Sequence, residues 1–193
     1  MKINGVEMIT DRSQSDVVIA KSLIKKGFQN MTGSEKDEFF AGLKGAYNYT
    51  DINRVETAVE YLAEKLSKIP SELKQYAEEW GVYWYNDVFN VSYNADNYIG
   101  ITAKKWYVGE TFSEEERQKY LEKILSVLNS LNVVPDEFPK TMNGLTHKGA
   151  NVIEISLVNL DAFLTQIKEE KETLIKGTKK SWFFGGDLYG GEI

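Results

Sequence analysis

Apolar residues recur at intervals of three and four along much of this 193-residue chain, the period of one face of an α-helix. Residues 13–26 open on Ser13-Gln14-Ser15-Asp16, a capping-box pattern, and continue through Val17, Val18, Ile19, Leu23 and Ile24. Gly27 follows as a stop signal. A short second helix is predicted from Ser34 through Phe39, Phe40 and Leu43, ended by Gly45. Thr50 caps a third, in which Ile52, Val55, Val59, Leu62 and Leu66 form a narrow stripe of coiled-coil type. Pro70 suits the first position of a fourth helix, 70–80.

Further along, Ser113-Glu114-Glu115-Glu116 is a second capping box, with three carboxylates at the positive end of a helix dipole. That helix runs to about Leu131 through Leu121, Ile124, Leu125 and Leu128. A connector over 132–145 holds Pro135 and Pro139, and Thr146 then opens the longest helix, to about Lys176. Its stripe is Ile153, Leu157, Leu160, Leu164 and Ile167; beyond Lys168 it is mostly polar and is expected to project from the core.

Residues 82–107 break the helical period. Val82, Trp84, Phe89, Val91, Tyr93, Ile99 and Ile101 favour strands, residues 89–93 alternate apolar with polar, and Asn94-Ala95-Asp96-Asn97 is a turn cluster. The expected fold is therefore mainly α: a bundle of amphipathic helices with a small β-hairpin or sheet insertion around 82–107 and a Gly-rich C-terminal arm. The expected organisation is an N-terminal helical region (1–80), an aromatic-rich region (81–110), a C-terminal helical region (111–176) and the arm (177–193).

Two internal repeats stand out. Three helices share the order aliphatic, Glu, two residues, aliphatic, two residues, Leu: Val55-Glu56 to Leu62, Leu121-Glu122 to Leu128, and Ile153-Glu154 to Leu160. The first and third also place an asparagine two positions earlier, Asn53 and Asn151. The aliphatics lie on one face, and the glutamate beside it can reach a backbone amide or a basic partner. The plainer reading is that amphipathic helices resemble one another. The second repeat is Phe184-Gly185-Gly186-Asp187-Leu188 followed by Tyr189-Gly190-Gly191-Glu192-Ile193. Glycine pairs break helices and permit close backbone approach. So many apolar side chains in a free tail would aggregate, and the arm is expected to dock, for instance along a sheet edge.

Composition narrows the chemistry. Cysteine is absent, so thiolate chemistry and disulfides are excluded, and the single histidine, His147, excludes any site that needs two. His147 is expected in a capping or surface role. The net charge of −6 argues against binding a phosphate backbone, so no nucleic acid is expected. The first ten residues hold no secretory signal and no apolar run is long enough to span a bilayer, so no membrane association is expected. Neighbouring acids such as Glu78-Glu79 and Glu169-Glu170 point apart on a helix. No metal or other cofactor is expected, and no catalytic residue.

The best ligand-facing candidates are aromatic. Ten rings fall within residues 76–107, including Trp80, Trp84, Tyr85 and Trp106. They suit core packing, a subunit interface or sugar stacking. In the arm, Trp182, Phe184, Leu188, Tyr189 and Ile193 are the corresponding contact candidates.

Three segments carry a likeness. Tyr47-Asn48-Tyr49-Thr50-Asp51-Ile52-Asn53-Arg54-Val55-Glu56 is the first. Lys105-Trp106, then Thr111 ahead of Arg117, Tyr120 and Leu121, is the second. Pro139-Lys140-Thr141-Met142-Asn143-Gly144-Leu145-Thr146, then Ala150-Asn151-Val152-Ile153-Glu154, is the third. With the tandem ending, these resemble segments of small tail and baseplate-region structural proteins of phages and prophages of Gram-positive bacteria, over roughly half the chain. Gln118 and Lys119 stand where Asn or Arg is usual. The resemblance implies a non-enzymatic virion component, made in the host cytoplasm and located in the tail. It would assemble with copies of itself, as a homo-oligomer, or with other tail proteins. The alternative is a module that binds surface glycan through residues 76–107. An enzyme working through carboxylates would need an acid pair across an open groove.

Overall fold

A computed structural model describes residues 1–40, 42–83 and 90–186, with the backbone alone for residue 40 and for residues 179–186. The fold is mainly α. Among the described residues the elements are, in chain order, strands β1 (Lys2–Ile3) and β2 (Val6–Glu7), then helices α1 (Gln14–Lys26), α2 (Gly33–Phe40), α3 (Tyr49–Glu79), α4 (Glu114–Leu128) and α5 (His147–Gly186). Single 3₁₀ turns lie at Phe28–Asn30, Ala95–Tyr98 and Asn129–Leu131.

The capping boxes form as the residue types dictate. Ser13 accepts from the Asp16 N–H while the Asp16 carboxylate accepts from the Ser13 N–H, and Ser113 and Glu116 repeat the exchange. Gly27 ends α1 in left-handed backbone, φ 75°, donating its N–H to Leu23. The cap of α3 lies two residues earlier than Thr50. Asn48 accepts from the Thr50 N–H, and Asp51 reaches back to the Asn48 N–H.

Helices predicted apart at Pro70 are one. α3 runs 31 residues with Pro70 inside it. An interior proline costs a helix about 3 kcal/mol. Leu66, Ile69 and Leu73 flank it and are all buried. Each fully buried aliphatic side chain contributes about 1.5–3 kcal/mol, so together they outweigh the proline. α2 begins at Gly33 rather than Ser34 and stops at Phe40, well before Gly45. Gly45 serves close approach instead: a Cβ there would lie 2.0 Å from the Asp16 carbonyl oxygen on α1.

The longest helix also exceeds its predicted end, continuing through Gly186, so that the first part of the arm is helical. Nor does its polar later half project alone. Lys168 pairs with Glu72 at 2.6 Å, Ile175 is fully buried, and the Lys176 ammonium lies over Tyr76 and Trp80. Nearer its start, Glu154 pairs with Arg54 and Asp161 with Lys65. Partner numbers rise together along both helices, so α3 and α5 run side by side in the same direction. Their stripes close on one another as the main seam of the core, and α4 packs against both.

No strand forms among the described residues of 82–107; the turn cluster there becomes a 3₁₀ turn, and Trp84, Tyr85 and Phe89 lie outside the described residues. The two-stranded sheet is at the start of the chain, pairing Ile3 with Val6 around Asn4 and Gly5, both at positive φ. Asn-Gly between apolar residues is a strong hairpin signal, and it is the feature the helical periodicity obscures. Ile3 is fully buried in the same core as α3 and α5. A smaller cluster, Ala20, Leu23, Met31 and Leu43, holds α1 and its neighbours apart from the main core.

Candidate interaction surface and the buried charge cluster

The asparagine–glutamate repeat is a built device. On α5, Asn151 accepts from the Arg12 N–H at 3.0 Å and donates to the Arg12 carbonyl at 2.9 Å. Three residues on, Glu154 accepts from the Ile9 N–H at 2.6 Å. On α3, Asn53 accepts from the Trp106 N–H at 2.7 Å and donates to the Trp106 carbonyl at 2.8 Å. Glu56 accepts from the Lys104 N–H at 3.1 Å. Each helix therefore grips one connecting segment by its backbone, 9–12 on α5 and 104–106 on α3. An asparagine side chain presents a donor group beside an acceptor group, matching the N–H and C=O of an unpaired backbone residue. Glu122, in the second copy, is exposed and, among the described residues, accepts only from Gln118. The first and third copies of the repeat thus work, and the second is amphipathic periodicity alone.

Around Glu154 the charges interlock. The same Arg12 nitrogen donates to Asp51 at 2.7 Å and to Glu154 at 2.6 Å. Arg54 also donates to both carboxylates. Arg12, Asp51 and Glu154 are each at most 4% exposed. Burial pulls the Arg54 guanidinium down, but Glu154 and Asp51 outweigh it and raise its pKa above the ordinary value. Beside them, the Tyr47 and Tyr120 hydroxyls share a hydrogen bond at 2.6 Å, and burial pushes both phenols up. Glu56, the twin of Glu154, holds Lys123 at 2.6 Å. Two carboxylates do meet here through shared cations, bridged by both the Arg12 and the Arg54 guanidinium. They are sealed in the core, not set across an open groove. Among the described residues no group of three or more His, Asp or Glu side chains could hold a metal ion, and no helix is long and apolar enough to cross a membrane.

The predicted contact aromatics separate. Trp106 is buried, its ring edge-on to Phe112 at 4.9 Å with the Lys104 ammonium 3.6 Å above it. It belongs to the core because its backbone is pinned by Asn53, which turns the ring inward. Trp80 is half-buried, packed against Tyr76 at 6.1 Å. Tyr98 is buried, whereas Tyr83 and Tyr107 are exposed. Trp182 and Phe184 lie on the backbone of α5, and their side chains, with Trp84, Tyr85, Leu188, Tyr189 and Ile193, fall outside the described residues.

An apolar surface that the sequence reading missed gathers at the N-terminal end of α3. Ile24, Phe39, Leu43, Ala46, Tyr49 and Val108 line a groove of about 350 Å³. Ile24 is 59% and Val108 78% exposed. Val18, Ile19 and Phe28 add exposed apolar area on the same helical satellite. The signal was present in α1, where Val17, Val18, Ile19, Leu23 and Ile24 are too many for one buried stripe. His147 stands at the first turn of α5, after Thr146, whose hydroxyl accepts from the Gly149 N–H. A search among known proteins finds no matching family model, curated protein or solved structure.

Proposed function

We propose that this chain is a non-enzymatic structural component of the tail or baseplate region of a phage or prophage of Gram-positive bacteria, acting through contacts with copies of itself or with other tail proteins. One observation carries the reading. The three segments that bear the resemblance are far apart in sequence, yet their shared residues bond to one another or to the segments they grip. Tyr47 meets Tyr120, Arg54 meets both Asp51 and Glu154, Asn53 holds Trp106, and Arg117 holds Asn143. Asn151 holds the backbone of Arg12, which joins the same charge cluster. Motif residues that belong to one framework are expected of proteins alike in architecture. Motif residues lining a cleft would instead be expected of proteins alike in chemistry.

The exposed apolar groove and satellite supply surface for association. The proposal is tested on particles released by the strain that carries the gene. Mass spectrometry of purified particles, with immunogold labelling, is expected to find the chain on the tail. Its absence from intact particles, or its presence only in the soluble lysate, overturns the proposal.

A further inference from the structure

The groove and Gly186, where α5 ends, lie at opposite ends of the same helix pair, and this placement decides what the residues after Gly186 can reach. The groove opens beside Asn48, Tyr49 and Thr50, where α3 begins. Because α5 runs parallel to α3, with Arg54 level with Glu154, that end corresponds to the start of α5. α5 then continues to Gly186. At 1.5 Å per residue, Gly186 stands roughly 55 Å from the level of the groove. The seven residues that follow span at most about 25 Å when fully extended. They cannot reach the groove of their own copy.

Those seven residues are Asp187-Leu188-Tyr189-Gly190-Gly191-Glu192-Ile193. They offer three apolar side chains, and the glycine pair lets the backbone approach a surface closely. The described sheet, two residues per strand, offers no edge of useful length for strand addition. Six of the groove's nine lining residues are aliphatic or aromatic, with Asn48 and Thr50 as its polar side chains. We infer that the groove of one copy receives residues 187–193 of a second copy, joining the chains head to tail. This rests on the proposed self-assembling role and names its partner. A head-to-tail contact leaves a free groove at one end and a free arm at the other, so it extends by repetition or closes into a ring.

The test uses two variants of the full chain. Val108→Asp, at an exposed position, places a charge in the groove and keeps the arm; truncation after Gly186 keeps the groove and removes the arm. Unmodified protein is expected to grow in mass with concentration in sedimentation velocity, and each variant alone to stay monomeric. Mixed, the two variants are expected to form a species of twice the monomer mass and nothing larger, because each brings one working end. As a second measurement, a photoreactive benzoylphenylalanine in place of Tyr189 is expected to cross-link to a peptide containing Tyr49 or Val108 from an isotopically distinct copy. Monomeric unmodified protein overturns the inference. So does self-association that both variants retain, or a mixture that fails to pair. Any of these results leaves the presence of the chain in particles a separate question, answered by the mass spectrometry.

Discussion

Single residues set the strictest conditions on this fold, and Glu154 is the most demanding. It answers two guanidiniums and a backbone amide from inside the core. Glu154→Gln leaves Arg12 and Arg54 facing one carboxylate, and removal of one partner from a buried ionic group costs about 3–5 kcal/mol. Glu122→Gln, at the same repeat position on an exposed face, is expected to change stability by less than about 0.5 kcal/mol. Urea denaturation of the two variants checks both values. A second residue works in the opposite sense. The Tyr93 hydroxyl is buried and meets no hydrogen-bond partner among the described residues. Tyr93→Phe removes a desolvated polar atom and keeps the ring, which stands edge-on to Tyr98 at 5.8 Å. A neutral to stabilising change of up to about 1 kcal/mol is expected in the same assay.

At the scale of elements, the helical satellite hangs on contacts that differ in kind from the seam. Gly45 touches the backbone of α1 at Asp16, where no side chain can yield. Gly45→Ala is expected to displace α1 and to cost about 2–4 kcal/mol, read as a lowered thermal midpoint. α2 is tied by Glu35, which accepts from the Lys26 ammonium and the Thr32 N–H. These donors, Lys26 first, hold its carboxyl down at about 2. A depressed folded value means the contact contributes fully above the ordinary value of 4.5 and is lost as pH falls through about 2. Carboxyl titration by NMR is expected to place the Glu35 midpoint well below the ordinary value of 4.5. A Glu35 midpoint near 4.5 would remove the tie.

Across the whole molecule, two helices each grip one extended segment, and three regions of the chain share one core. Ile3 and Met8 from the start, Val55 to Leu73 from α3, and Ile153 to Ile175 from α5 belong to a single apolar cluster. The satellite has its own four-residue cluster. Stability is therefore unequal. Amides of α3 and α5 are expected to exchange with solvent only on global unfolding, and those of α1 and α2 by local opening at lower free energy. Native-state hydrogen exchange at increasing urea checks this; a single common isotherm would contradict it.

The sequence by itself determined the periodic and local features. The stripes of α3 and α5, the capping boxes at Ser13 and Ser113, the stop at Gly27 and the asparagine–glutamate repeat depend on neighbours within a turn or two of helix, and those are written in residue order. It also marked Glu56 and Glu154 as beside a buried face, although their partners were not legible. The tertiary structure alone decided the rest. Pro70 stays helical because buried aliphatics on both sides outweigh its cost. At 104 and 106 the backbone groups a strand would use are taken by Asn53 and Glu56, about fifty positions away. Trp106 is core, and the groove exists, because distant segments meet there. Local rules fix which elements can form; which backbone groups and apolar faces remain for a partner is settled only when the whole chain has packed.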